Sequence, residues 1–353
     1  MMKYLILLII SSINIYSLCT FCERQENRNS EKEVVRIILD TDMGSDCDDV
    51  GALALLHKYA DLGLAEIIGC MYSSGKVPFG AGIIEAINIY YGRPDIPIGA
   101  YYGDEVGDSL DKMTSEKLVH DTTAFRNKII YNTDAQEQTQ LNRRLLMESD
   151  DNSIIYITIG HTKGVYELLI SKPDSNSPLT GYELVNKKVK KWIAMGGVGA
   201  INKNQEFVSD WNLFSNGTAK YSKYLFENFP KPIYVSDGGT NVLTGQSLKY
   251  TSPGNIVRTA YRDWLWNVQQ KTLDDQRSSW DLLAVYFAVE GLGDFLEFSG
   301  QGRMEVDLIK GVRWRDEKNE IKQYFVQQKL NTDQSLGDYL NKMIGETPVF
   351  NKE

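Results

Sequence analysis

The sequence predicts a single α/β domain with a mostly parallel central sheet flanked by helices, and two patterns carry that prediction. The first is the repeated alternation of short β-branched runs with runs of helical period, the signature of βα units. The second is the opening unit, in which the apolar run 34–39 leads through a turn at Gly44 into an amphipathic segment from Asp48 onward. A strand, a tight turn and a helix in that order begin a parallel sheet, and ligands of such sheets bind beyond the carboxyl ends of the strands. With 353 residues, 42% of them hydrophobic, the chain can bury a large core, and no long Ser/Gly/Pro-rich stretch divides it. One domain is therefore expected over 34–353.

In chain order, the strand-like runs are 64–72, 151–159, 190–195 and 232–235, and the helix-like runs are 81–91, 165–170 and 218–229. Two aromatic-rich helices are expected at 250–270 and 280–291, then strands at 303–309 and 323–328, and a last helix at 333–344. No internal repeat is visible.

The densest signal lies at the end of the first strand, where LDTDMGSDCDDVGALALLHKY places Asp40, Asp42, Asp46, Asp48 and Asp49 within ten residues. So many like charges repel one another unless a cation sits among them. Carboxylate oxygens select Ca²⁺ or Mg²⁺, and no His or Cys cluster accompanies them to suggest zinc. An acidic N-cap explains one or two aspartates but not five. An EF-hand loop needs Asp or Asn at its fifth position and Gly at its sixth, where this chain has Gly44 and Ser45.

At the N-terminus, Met1-Met2-Lys3 precedes an apolar run over 4–18, then Cys19, Cys22 and a polar stretch. The run is short for a membrane span and reads as a signal peptide or lipoprotein leader over 1–22 with a polar linker over 23–33. The rival reading is a short interfacial helix. An exported protein is expected, periplasmic or tethered to the outer face of a membrane by lipid on Cys19 or Cys22. Without the leader only Cys47 and Cys70 remain, so no disulfide framework is needed. A net charge of -9 and a pI near 5.1 argue against a nucleic-acid surface.

DTDMGSDCDD resembles the aspartate signature of the inosine-uridine nucleoside hydrolase family, in the longer form with two extra residues before the final Asp pair. Further similarity lies in Asp210-Trp211-Asn212, which matches the family's acidic-aromatic-Asn triplet, and in Trp280-Asp281. ITIGHTKGVYELL over 157–169 is similar to the family's strand-turn-helix that lends a backbone carbonyl to the metal, and INIYYGRPDIPIGA over 87–100 to its second helix-to-strand passage. The resemblance spans 34–340 and implies a Rossmann-like nucleoside hydrolase architecture. It also implies Ca²⁺-dependent hydrolysis of ribonucleosides to ribose and free base, and a homodimer or homotetramer.

By the same resemblance, Asp42 is the general base and a metal ligand, and Asp49, Asp281 and the backbone carbonyl of Lys163 complete the metal site. Asp48, Asp281 and Asn212 read the ribose 2'- and 3'-hydroxyls, and Asp210 stands near the 5'-hydroxyl in place of the commoner glutamate. Trp211 and Trp280 resemble the purine-preferring branch, in which tryptophans sandwich the base. This chain departs from the family at Lys163, where a threonine is usual, and at Gly75-Lys76, where an Asn often follows the Gly. The usual Asn ahead of the triplet has no unique match among Asn202 and Asn204. Two readings of other classes stand beside this one. An exported binding protein could keep the fold and metal without turnover. An aspartyl-phosphate phosphotransferase is superficially similar at DTDMG but also needs a Lys and a later acidic pair for Mg²⁺.

Overall fold

The computed structural model describes residues 33–317 and 322–349, so the leader, Cys19, Cys22 and nearly all of the polar linker lie outside the described residues. Strand β1 (Val35–Thr41) is formed by VRIILDT, whose Ile37, Ile38 and Leu39 are fully buried, as a central parallel strand covered on both faces requires. The chain turns at Gly44, whose φ of +114° is a conformation only glycine adopts without strain. It then enters α1 (Asp48–Asp61), with Asp48 and Asp49 in the first turn and Lys58 in the last, the arrangement a helix dipole favours.

Further βα units follow as β2 (Ala65–Tyr72), α2 (Gly80–Tyr90), β3 (Ile98–Ala100), β4 (Gln136–Glu137), α3 (Gln138–Glu148), β5 (Ile154–Thr158), α4 (Lys163–Ile170), α5 (Gly181–Lys188), β6 (Val189–Met195), α6 (Ala219–Asn228) and β7 (Ile233–Ser236). The last part holds β8 (Leu243–Thr244), α7 (Ile256–Gln269), β9 (Arg277–Ser278), α8 (Trp280–Glu290), β10 (Leu296–Asp307), β11 (Gly311–Asp316), β12 (Gln323–Gln328) and α9 (Asp333–Gly345).

Among the described residues, the main sheet has ten strands in the order β11-β10-β12-β7-β6-β5-β1-β2-β3-β4. All pairings from β12 to β4 are parallel, and β10 pairs antiparallel with both β12 and β11. The α/β class and mostly parallel sheet expected from the sequence are therefore present. From β1 the chain moves outward one way through β2 and β3, and later the other way through β5, β6 and β7. The strand order thus reverses beside β1, and the crevice at such a switch point is where open α/β sheets bind ligands.

Alternation along β1 divides the core: Ile37 and Leu39 join α1, α2, α7, α8 and α9 on one face, while Ile38 joins α3, α4, α5 and α6 on the other. Helix α8 is buried almost throughout and packs on α1, so both helices are apolar on nearly all sides.

Some elements differ from the sequence expectation. Helices α3 and α5 were not expected, because both are polar overall; their signals are caps, with Glu137 accepting from the Thr139 and Gln140 N–H groups and Thr180 forming a capping box with Glu183. The aromatic helix begins at Ile256 rather than 250, because Asn255 caps it just after Pro253 and Gly254. The strand expected at 303–309 is the second half of the longer β10, which hairpins into β11. No helix of the described residues is long and apolar enough to cross a membrane. Cys47 and Cys70 are buried free thiols.

Candidate functional site

The carboxyl end of β1 opens into a cavity of about 530 Å³. The loop after β1 supplies Asp42, Ser45 and Asp46, α1 supplies Asp48 and Asp49, and α8 supplies Asp281. Ile159 and Met195 come from the ends of β5 and β6, and Asp210, Trp211 and Asn212 from the loop before α6. Trp264, Arg277 and Trp280 wall the remaining side. Gly160 is what lets the β5 loop come this close, because a Cβ there would lie 2.5 Å from the Asp42 backbone nitrogen.

Carboxylates of Asp48, Asp49 and Asp281 each offer an oxygen within 4.8 Å of the other two. The Asp281 N–H donates to Asp48 Oδ2 at 3.3 Å, which ties the start of α8 to the start of α1. Thr41 Oγ1 donates to Asp49. Burial pushes all three carboxyls well above the usual carboxylate range, and repulsion from neighbouring aspartates pushes the same way. Asp42 is raised too, chiefly by burial. Three buried, mutually repelling, oxygen-only ligands fit a hard divalent cation, which would relieve both effects.

Asp42 Oδ2 accepts from Ser45 Oγ at 3.3 Å and lies 3.5 Å from Nε2 of His161, which is fully buried with neither ring nitrogen hydrogen-bonded. Asp40, by contrast, faces the scaffold: Gln138 Nε2 and Tyr156 Oη donate to its Oδ2 at 2.8 and 3.3 Å, and burial raises its carboxyl to about 7.

The mid-chain triplet divides by role. Asp210 clamps its own loop, accepting from the N–H groups of Gly197 (2.7 Å), Val198 (3.2 Å) and Leu213 (2.7 Å). Asn212 Nδ2 donates to the Ile159 carbonyl at 2.9 Å, and its Oδ1 is buried with no partner. Trp211 is half exposed, with the Lys112 ammonium 5.3 Å from its ring centre.

The cavity thus brings together Asp42, Asp48, Asp49, Asp210, Trp211, Asn212, Trp280 and Asp281, but it does not include Lys163. The Lys163 ammonium pairs with Glu105 and Glu167 at 3.0 Å each and lies over the rings of Tyr101 and Tyr221. From that loop the residue lining the cavity is Ile159, four positions earlier. Lys76, Asn202 and Asn204 also lie outside the lining. Trp264, Arg277 and Lys112 were not foreseen. Each arrives through a long-range contact with no local motif, and the one hint was the aromatic content of α7.

Beyond β7, Asp237 is a further carboxyl set in a largely buried position. Burial raises its carboxyl to about 7, and nearby Asp210 adds to the effect. A carboxyl whose pKa is raised in the fold contributes stability below its ordinary value near 4, and that contribution is lost as pH rises toward 7. Asp237→Asn, which keeps an acceptor for the Gly199 N–H, should therefore leave Tm nearly unchanged at pH 4 and raise it by about 3 °C or more above pH 7. A thermal melt series over that range checks this, and a gain that is the same at every pH refutes it.

No family model and no curated protein sequence matches this chain. Solved structures do. A plant nucleoside hydrolase superposes with a TM-score of 0.62 at 14% identity, covering 88% of this chain and 99% of its own. The purine-preferring ribonucleoside hydrolase from Gardnerella vaginalis gives 0.60 at 15%, covering 88% and 97%. The type III effector XopQ, solved with adenosine diphosphate ribose, gives 0.62 at 12%, covering 90% and 94%. At these identities the likeness concerns the fold, and this chain has the nucleoside hydrolase fold.

Proposed function

We propose that this protein hydrolyses the N-glycosidic bond of ribonucleosides, releasing ribose and free base, with Ca²⁺ held by Asp42, Asp48, Asp49 and Asp281. The observation that carries this is the buried carboxylate cluster at the switch point of the sheet, with polar groups for a sugar on one side and aromatic walls on the other. Structural neighbours that are nucleoside hydrolases support the reading.

Breaking C1'–N builds positive charge on the sugar and negative charge on the base. Carboxylates around the sugar stabilise the first. Asp42 accepts a proton from the attacking water; Ser45 donates to its Oδ2, and His161 Nε2 stands 3.5 Å from that oxygen. When bound, the cation keeps the surrounding carboxylates ionised and lowers the pKa of nearby water. Asn212, with its free Oδ1, and Asp48 meet the ribose hydroxyls, so deoxyribosides leave buried groups unpaired and are rejected. Trp211 and Trp280 favour the larger, flatter purine. The exported location, periplasmic or tethered by lipid to the outer face of a membrane, and the homodimer or homotetramer belong to the same proposal.

A reducing-sugar assay over a nucleoside panel, with Ca²⁺ and with chelator, tests it. Ribose release from purine ribosides only in the presence of Ca²⁺ is expected. Calcium-dependent ligand binding with no ribose released would instead favour the binding-protein reading, to which the effector among the structural neighbours lends weight.

A further inference from the structure

Trp280 carries a group on one face already. The Arg277 guanidinium carbon lies 4.5 Å from the Trp280 ring centre and 4.2 Å from that of Trp264, so the cation stacks against both indoles. Asp46 fixes it in the plane, accepting from Nε at 3.2 Å and from Nη2 at 2.5 Å. Trp264 is itself held, its Nε1 donating to the Ser45 carbonyl at 3.1 Å. Asp46 belongs to the acidic loop after β1, so that loop is what grips Arg277.

A guanidinium has five N–H donors in a rigid plane and no acceptor. Asp46 occupies the Nε/Nη2 edge. The Nη1/Nη2 end remains, a second fork of two parallel donors on a residue that lines the cavity, three positions before Trp280 and four before Asp281. Resting on the hydrolase reading, we propose that this fork receives the departing base and selects 6-oxopurines. Hypoxanthine and guanine offer O6 and N7 side by side as acceptors, the pair that arginine meets with two hydrogen bonds. Adenine places a donor amine where O6 would be.

The same contact assists the chemistry. As C1'–N9 breaks, its electron pair passes into the purine, while water oxygen bonds to C1' and its proton goes to Asp42. Negative charge spreads over the imidazole ring and O6, and the fixed cation stabilises it without giving up a proton; the purine anion then takes a proton from solvent. Among the described residues, Lys112 is the other cation lining the cavity, but its ammonium is bound to Asp108 at 2.6 Å and sits over Trp211.

The test uses the full chain with Ca²⁺. Native protein should favour inosine over adenosine by about tenfold to a hundredfold in kcat/KM, as one bidentate pair allows. Arg277→Gln should collapse that ratio toward one, and should slow inosine about tenfold or more beyond any loss on 4-nitrophenyl riboside, whose leaving group needs little assistance. Arg277→Lys, which keeps charge but not the fork, should lose the ratio while retaining part of the rate. Lys112→Gln should keep the ratio. Equal losses on all three substrates, or a ratio that follows Lys112, overturn the proposal. Quenching of tryptophan fluorescence by free hypoxanthine and adenine provides a readout independent of turnover. Hypoxanthine should bind tighter, and Arg277→Gln should abolish the difference; equal binding by the native protein overturns the proposal. Selective base binding with no ribose release would sink the hydrolase reading alone.

Discussion

Calcium chelation should abolish ribose release and lower the melting temperature, by an amount that grows as pH rises. Asp42, Asp48, Asp49 and Asp281 are buried together, and without a cation each is held above the ordinary carboxylate pKa, first by burial. Raised groups of this kind contribute stability at a pH below their unfolded value near 4 and lose it as pH climbs toward the folded value. The chelated protein should therefore melt at progressively lower temperature from pH 4 upward. A cation binds the ionised form and reverses that trend. At a thousandfold excess over its dissociation constant it contributes about 4 kcal/mol, which corresponds to about 8 °C in Tm. Melting curves at pH 5 and pH 8, with Ca²⁺ and with chelator, should show the gap widen at the higher pH. A pH-independent gap, or full activity in the stripped protein, refutes the metal assignment.

Asp42→Asn should reduce kcat by about 10³ or more, because the amide cannot accept the water proton and general-base loss alone costs about 10² to 10⁴. The substitution keeps the shape that meets Ser45 and His161. It also removes one of the repelling buried charges, so Tm of the chelated protein should hold or rise. Stability and rate thus move in opposite directions, which separates catalytic loss from unfolding. A loss of less than tenfold reassigns the base.

What the sequence made legible was local and periodic. The β1–α1 unit announces itself through a β-branched strand, a glycine turn and five aspartates, all within two dozen residues. Trp280-Asp281 and Asp210-Trp211-Asn212 were found through resemblance, since neither carries a physical signal of its own. Arg277 was invisible because its partner Asp46 lies 231 residues away and no pattern connects them. Lys163 is a different case: its loop matched the family segment and the expectation concerned its backbone carbonyl, while its ammonium is drawn away to Glu105 and Glu167. Asp210 was placed near the 5'-hydroxyl by resemblance; in the fold it lines the cavity and also accepts from three backbone amides, a structural role the sequence did not signal.

The bond from the Asp281 N–H to Asp48 joins residues 233 positions apart. During synthesis, then, the acidic loop leaves the ribosome long before the helix that completes the cation site. Until α8 docks on α1, the aspartates are solvated and would hold an ion weakly, so on the proposed reading Ca²⁺ would lock a nearly finished molecule and would not template its early folding. Cys47, buried between Asp46 and Asp48 with its thiol pushed well up chiefly by burial, is a natural clock for that order. In refolding followed by thiol labelling, Ca²⁺ should leave the rate at which Cys70 becomes protected unchanged and should slow the later re-exposure of Cys47; faster protection of Cys70 would show that the ion acts early.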